Sequence, residues 1–144
     1  MYKTPGGSID YDFIRLKLNE LAKLYRIRKL AIDRWNATQL ANQLMQDGFD
    51  VVGFGQGFAS MSAPMKFLES LVTDRKLRHG GHKVLRWMAG NVAASQDAAG
   101  NVKPDKAKST EKIDGVVSLV MALGIAATPA QVMDFYTEHE LEMA

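Results

Sequence analysis

Cysteine is absent from this 144-residue chain, which excludes disulfides, thiolate zinc sites and cysteine nucleophiles. No Gly-x-x-x-x-Gly-Lys-Ser/Thr run occurs, so these residues contain no phosphate loop and no ATPase motor built on one. Gly53, Gly55 and Gly57 begin to resemble a dinucleotide-binding turn, but the third glycine of that fingerprint would stand where Phe58 is. A dinucleotide cofactor is therefore not expected. Long apolar runs are missing as well. The longest, Gly115 to Ala127, is too short to span a bilayer and suits a buried helix. Met1-Tyr-Lys-Thr-Pro-Gly-Gly7 has no apolar core, so no secretory signal is expected. Charge of one sign is also scarce: 18 Lys and Arg stand against 16 Asp and Glu, a formal net charge of +2. Such a balance neither demands nor excludes a nucleic-acid partner, because clustering matters more than the total.

What is present fits an ordinary globular protein, with 47% apolar and 24% charged residues and enough length to bury one core. A soluble intracellular protein is the expectation. Ile14, Leu18, Leu21, Ala22 and Tyr25 recur at helical spacing between Tyr11 and Tyr25, behind Asp10 as N-cap. Lys29 to Asp33 is a short apolar run ending in an acid, expected to be a buried strand. A second helix is expected from about Asn36 to Gln46, stopped by Asp47-Gly48, and a second strand from Phe49 to Phe54. Ser62-Ala-Pro64 is expected to open a third helix, with proline in its first turn.

Further along, Leu77 to His79 suggests a short strand, Lys83 to Ala89 a helix and Val92 to Gln96 another strand. Asp97-Ala-Ala-Gly-Asn101 is turn chemistry, and Lys103 to Lys112 is expected to be a flexible, charged connector. Ser109 or Thr110 should then cap an apolar helix over Ile113 to Ile125. Thr128-Pro129 starts a separable amphipathic helix carrying Val132, Phe135 and Tyr136, which divides the chain into residues 1–127 and 128–144. Alternating strands and helices imply an α/β layer structure with parallel neighbouring strands.

Two acids stand out. Asp33 closes a buried strand, where open α/β sheets present ligands. Asp114 lies near the start of an apolar helix, whose dipole favours an anion. Metal-assisted phosphodiester cleavage requires several carboxylates converging from different elements around one or two divalent ions. Surface or capping roles are the alternative for both acids. Lys103, Lys106, Lys108 and Lys112 precede or flank Asp114 and are suited to DNA phosphates, although the interleaved Asp105 and Glu111 also suit a solvated linker. His79 and His82 sit three apart across Gly80-Gly81. Without cysteine or a carboxylate cluster beside them, His79 is better suited to a phosphate contact than to zinc. Trp35 and Trp87 are read as core anchors rather than base-stacking platforms.

Several stretches, in this order, resemble one family. They are Ile9-Asp-Tyr-Asp12, Ile32-Asp-Arg-Trp-Asn-Ala37 with Gln39-Leu-Ala41, and Gln56-Gly-Phe-Ala-Ser-Met-Ser62. Leu77-Arg-His-Gly-Gly81, Leu85-Arg-Trp-Met88 and Asn91-Val92 follow. Lys103-Pro-Asp-Lys106, Lys108-Ser-Thr-Glu-Lys-Ile-Asp-Gly115 and Met121-Ala-Leu-Gly124 complete the series. Together they resemble the C-terminal nuclease domain of phage terminase large subunits, a family similar to RNase H and the RuvC resolvases.

The resemblance implies an RNase H-like α/β fold, a mixed sheet flanked by helices, and a metal-dependent endonuclease that cuts concatemeric double-stranded DNA during genome packaging. It implies Mg2+ or Mn2+ as cofactor, held by Asp33 and Asp114 as catalytic acids, with Lys106, Lys108, Lys112 and His79 toward nucleic acid. Other terminase subunits and the portal are the implied partners, in the cytoplasm of a bacterial host. The family's opening strands, with its first catalytic aspartate, have no counterpart before Thr4. An N-terminally truncated domain, weak or inactive as a nuclease, is therefore expected. A remnant that only binds DNA or terminase partners is the alternative, and a general interaction module is a third. Asp33 and Asp114 are expected on one side of a mainly parallel sheet, roughly 4–8 Å apart. An exposed edge at Leu30–Asp33 is expected to drive homo-oligomerisation, unless the helix from Pro129 onward covers it.

Overall fold

The computed structural model describes residues 9–33 and 38–127. They fall into two compact units, Met1–Gly53 and Phe54–Ala144. The expected C-terminal helix over 128–144 lies outside the described residues, as does Trp35.

In the first unit α1 spans Tyr11–Leu24, β1 Leu30–Asp33 and α2 Thr38–Gln46, and β2, Val51–Phe54, ends on the first residue of the second unit. Asp10 caps α1 as expected, its side chain accepting from the Phe13 amide at 2.9 Å. Ile14, Leu18 and Leu21 are half-buried on the helix, which packs against α2, where Leu40 and Leu44 are buried one turn apart. Asp47-Gly48 does stop α2. Gly48 takes φ 92°, and the Phe49 amide returns to the Leu44 carbonyl at 3.0 Å, a left-handed cap that glycine adopts without steric penalty. β1 and β2 pair, with the Leu30 amide donating to the Asp50 carbonyl at 2.9 Å.

Asp47, just past α2, also anchors α1. Arg15 reaches it with Nε at 2.6 Å and Nη2 at 2.5 Å, and Asn19 Nδ2 donates to it at 2.8 Å. Arg15 and Asn19 lie four apart, so one helical face presents both donors to one carboxylate.

In the second unit α3 spans Phe58–Thr73, α4 Lys83–Asn91, β3 Ala94–Gln96, β4 Val102–Pro104 and α5 Asp114–Ala126. Here the structure corrects the sequence reading several times. α3 begins at Phe58, behind Gly57, so Pro64 lies inside the helix and not in its first turn. Proline there forfeits the bond to the Ser60 carbonyl, but Met61, Ser62, Pro64 and Leu68 are all buried, and packing holds the turn. Leu77 to His79 is loop, not strand. Past the end of α3, Arg75 takes φ 57° and the Lys76 amide returns to the Leu71 carbonyl at 2.8 Å.

The expected flexible connector is structured. Lys103 pairs with Ser95 in an antiparallel β3–β4 hairpin, whose register runs from Ala94↔Pro104 to Gln96↔Val102. This pairing departs from the parallel arrangement expected of neighbouring strands. Asp97 closes the hairpin by accepting from the Ala99 and Asn101 amides and from Asn101 Nδ2, each at 2.9 Å. Ser62, buried on α3, accepts from the Val102 amide at 3.2 Å and ties the hairpin to the helix.

α5 is apolar on most of its circumference. Val116, Val117, Val120 and Met121 are buried, as is Ile113 before them, against α3 and α4. Asp114, Ser118, Ala122 and Ala126 alone form a continuous exposed stripe at four-residue spacing. Close approach requires two glycines. A Cβ at Gly124 would stand 2.6 Å from the Phe54 ring and 3.3 Å from Pro64 Cγ. One at Gly115 would meet the Met88 sulfur at 2.8 Å.

These glycines should respond differently to substitution. Gly124→Ala meets both the Phe54 ring and Pro64, and overpacking of about 1–3 kcal/mol should outweigh a helix-propensity gain of about 1 kcal/mol. Gly115→Ala meets the end of a flexible methionine and should be neutral or mildly stabilising. Urea unfolding of both variants checks this, and equal stabilities would contradict the packing.

The Arg15–Asp47 contact predicts a pH response. The Arg15 guanidinium, then the Asn19 amide, hold the Asp47 carboxyl down at about 2. A depressed carboxyl stabilises the fold above its unfolded value and loses that contribution as pH falls through the folded one. Wild-type stability should therefore decline between about pH 4 and pH 2, and Asp47→Asn should be less stable at neutral pH with a flatter acid limb. Parallel curves for the two proteins would refute the assignment.

Candidate functional site

The segment between β4 and α5 is built around two aspartates with opposite fates. Asp105 is internal wiring. Its carboxylate accepts from the Ser95 hydroxyl, from the Ala107 amide at 2.9 Å and from the Lys108 amide at 3.2 Å. The Ser95 hydrogen bond, then the Lys108 amide, holds its carboxyl below the usual carboxylate range. Ser109 completes the brace, donating to the Asp105 carbonyl at 2.6 Å and accepting from the Ala93 amide at 3.0 Å. Thr110 donates to Asn91 Oδ1 at 3.2 Å. Both hydroxyls expected to cap α5 are thus spent on other elements. Ile113 stands at the cap position without a side-chain bond, and the Gly115 amide meets the Met88 sulfur at 3.2 Å.

Asp114 is the outward-facing acid. It occupies the first turn of α5, with its side chain 59% exposed. Lys106 Nζ donates to Oδ1 at 2.6 Å. That hydrogen bond is the main cause of the carboxyl lying below its ordinary value, and the charges of Lys106 and Lys112 add to it. Lys106, Ser109, Thr110, Glu111, Lys112 and Asp114 line a polar cleft of about 340 Å³. The aspartate is therefore ionised at neutral pH and bordered by cations, a setting suited to an anionic ligand or a cation exchanged for Lys106.

The other expected site residues are placed as follows. Lys103 lies over the Phe58 ring at 5.2 Å, which takes it out of the outward-facing group. Lys108 and Lys112 are exposed. His79 is exposed and lines a separate cleft of about 480 Å³ with Arg78, His82 and Met88. That cleft reaches Gly115, the residue after Asp114. Asp33 ends β1 in the first unit, half-buried. Among the described residues no three His, Asp or Glu side chains gather where they could hold a metal ion, so these residues do not complete a metal cradle.

Sequence reasoning named two residues without their structural roles. His82 caps α4, its Nδ1 accepting from the Leu85 amide at 3.2 Å. Asp105 turns the chain, and its place two and three residues before the amides it binds is a local signal of an Asx turn.

The chain matches a family model described as terminase large subunit, endonuclease domain, over residues 2–129. It is 40% identical over 125 residues to the terminase large subunit of Enterobacteria phage HK97, covering 85% of this chain and 25% of that protein. It is 34% identical over 126 residues to protein YmfN of Escherichia coli strain K12, covering 85% and 28%. The chain thus spans about a quarter of the length of these curated relatives. The crystal structure of the HK97 large terminase superposes with a TM-score of 0.78 over 86% of this chain and 26% of that one, at 40% identity. The large terminase nuclease of thermophilic phage G20c superposes with a TM-score of 0.63 over 81% and 63%; at 17% identity this shows a shared mixed α/β fold alone.

Removing the cation next to Asp114 has a measurable consequence. In Lys106→Met the Asp114 carboxyl should titrate higher, closer to an ordinary aspartate, while Asp105 stays where it was. Carboxyl-carbon NMR across an acid titration reads both, and an unmoved Asp114 would remove Lys106 as the dominant partner.

Proposed function

Because this chain belongs to the terminase large-subunit endonuclease family, we propose that it forms part of a metal-dependent endonuclease cutting concatemeric double-stranded DNA during genome packaging. The observation that carries this reading is Asp114, held ionised at the start of α5 beside Lys106 and Lys112. A phosphodiester approaching α5 meets Lys106, Lys108 and Lys112, whose charges neutralise phosphate and exchange for released counterions. His79, on the neighbouring cleft, is the further phosphate contact we propose. The helix start favours the Asp114 anion before any ligand arrives.

Mg2+ or Mn2+ is the proposed cofactor, with Asp33 and Asp114 contributing one carboxylate each. A second reading, in which the chain binds DNA or terminase partners without cleaving, is supported by the fact that no three His, Asp or Glu side chains gather among the described residues. Other terminase subunits and the portal are the proposed partners.

Conversion of supercoiled plasmid in Mg2+ or Mn2+ tests the reading. Asp33→Asn and Asp114→Asn should each lower cleavage on the order of 10²-fold, as loss of one preorganised charge-stabilising group does, while DNA retention in a gel is kept. Lys108→Ala with Lys112→Ala should weaken binding and flatten its salt dependence. Undiminished cleavage in both aspartate variants would eliminate these acids. Wild-type retention of DNA without cleavage would establish the binding-only reading.

A further inference from the structure

Lysine and arginine are unevenly spread along this chain. Residues 75–96 hold five of them, Arg75, Lys76, Arg78, Lys83 and Arg86, and no acid. The remaining residues, with 13 Lys and Arg against 16 acids, are net acidic. All five cations are exposed. Lys76 pairs with Asp74 at 2.9 Å, whereas Arg75, Arg78, Lys83 and Arg86 have no ion pair among the described residues. Positive charge concentrated this way, in a chain of net charge +2, is the footprint of a polyanionic partner.

Helix α4 organises these charges. Lys83, Arg86 and Trp87 lie three and four residues apart and share one face of the helix. Trp87, expected as a core anchor, is instead 48% exposed. An indole among cations offers a nucleobase a stacking surface. Val84, three residues before Trp87, lines the neighbouring cleft of about 480 Å³, whose other apolar side chains are Leu77, Leu85, Met88 and Leu119.

The polar lining of that cleft is Arg78, His79 and His82, and among the described residues no acid lines it. Gly80 and Gly81 take φ 59° and 70°, and the His82 amide donates to the His79 carbonyl at 3.2 Å. This is a tight turn of the type that requires positive φ at both central positions, and it sets the two histidine Cα atoms within about 7 Å of each other. His82 Nδ1 accepts from the Leu85 amide. An imidazole that accepts at Nδ1 carries its proton on Nε2, so His82 adds a donor to the guanidinium of Arg78.

We infer that the outer face of α4 and this cleft bind an unpaired segment of DNA, with phosphates on Arg78, Lys83 and Arg86, one base on Trp87 and a neighbouring base in the cleft. A duplex keeps its bases stacked inside and shows phosphates and groove edges, whereas an unpaired strand can lay a base on apolar side chains. Donors without acids suit the carbonyl oxygens of a base and the phosphate beside it. The cleft reaches Gly115, so the strand leads on toward Asp114. The choice of DNA rests on the nuclease reading; the preference for an unpaired strand rests on the cleft and Trp87.

Fluorescence anisotropy tests this on the full chain, in chelator so that no strand is cut. The probes are a labelled oligothymidylate of about ten nucleotides, an abasic strand of the same length and charge, and a duplex of that length. The thymidylate should bind at least about tenfold tighter than the abasic strand. Trp87→Ala should weaken thymidylate binding about tenfold and duplex binding far less. Arg78→Ala with Arg86→Ala should also weaken it, and should reduce the slope of log K against log salt by roughly 1.4, about 0.7 for each phosphate contact. In His82→Asn the asparagine keeps α4 capped, so the fold should be retained while thymidylate affinity falls. Equal binding of the thymidylate and abasic strands would overturn the site, as would an unmoved thymidylate affinity in Trp87→Ala or in the arginine pair. Duplex binding that persists alongside those results would leave the nuclease reading standing, and loss of every form of DNA would overturn both. Binding to phosphatidylserine vesicles that the thymidylate does not displace would overturn the site and give the face to a membrane.

Discussion

Burial of α5 is the constraint on which the second unit depends. A helix this apolar must cover nearly its whole circumference, and α3 and α4 supply the cover. The only stripe left to water is the one that begins with Asp114. The exposure of that acid follows from the packing of Val116, Val117, Val120 and Met121 on the other faces, because the helical repeat decides where residue 114 points once those four are inside. Gly124 and Gly115 set how near the neighbouring side chains come. Pro64, an interior proline that would weaken an isolated helix, is tolerated because it packs there.

A second layer of order comes from the short polar segment that leads into α5. Asp105, Ser95, Ser109 and the Ala93 amide form a closed set of hydrogen bonds, so the lysines between Asp105 and Asp114 are carried on a braced loop. Lysine side chains on a flexible tether would lose much of their charge density through conformational averaging. On a braced loop Lys106 is delivered to Asp114, and Lys108 and Lys112 project from fixed backbone. The same device explains why β3 and β4, only three residues each, persist: the Asp97 turn closes one end and Ser62 ties Val102 to α3.

Family membership and local chemistry contribute different things. The match over residues 2–129 and the superposition on the HK97 large terminase establish which family this is and that the fold is mixed α/β. Local chemistry shows how individual acids are held. Asp105 and Asp97 are consumed by amides and hydroxyls within their own turns. Asp47 is consumed by Arg15 and Asn19. Asp114 retains an exposed carboxylate, and its main partner is the Lys106 ammonium, with its own backbone amide a lesser one.

Much of the architecture was legible in the residues themselves, wherever the signal is local. The Asp10 cap, the Gly48 stop, the Asp97 turn and the apolar run of α5 depend on neighbours within about one helical turn, and each is present as read. The interior position of Pro64, the ordering of the 103–112 segment and the failure of Ser109 and Thr110 to cap α5 were not legible. Their partners, Phe54, Gly124, Ser95, Ala93 and Asn91, come from other elements. The candidate site divides along the same line. Asp114 and its lysines could be nominated from charge and helix position. That Lys106 is the lysine on its carboxylate, that Lys103 turns to Phe58 and that Asp105 is structural were decided only when tertiary packing chose among equally charged neighbours.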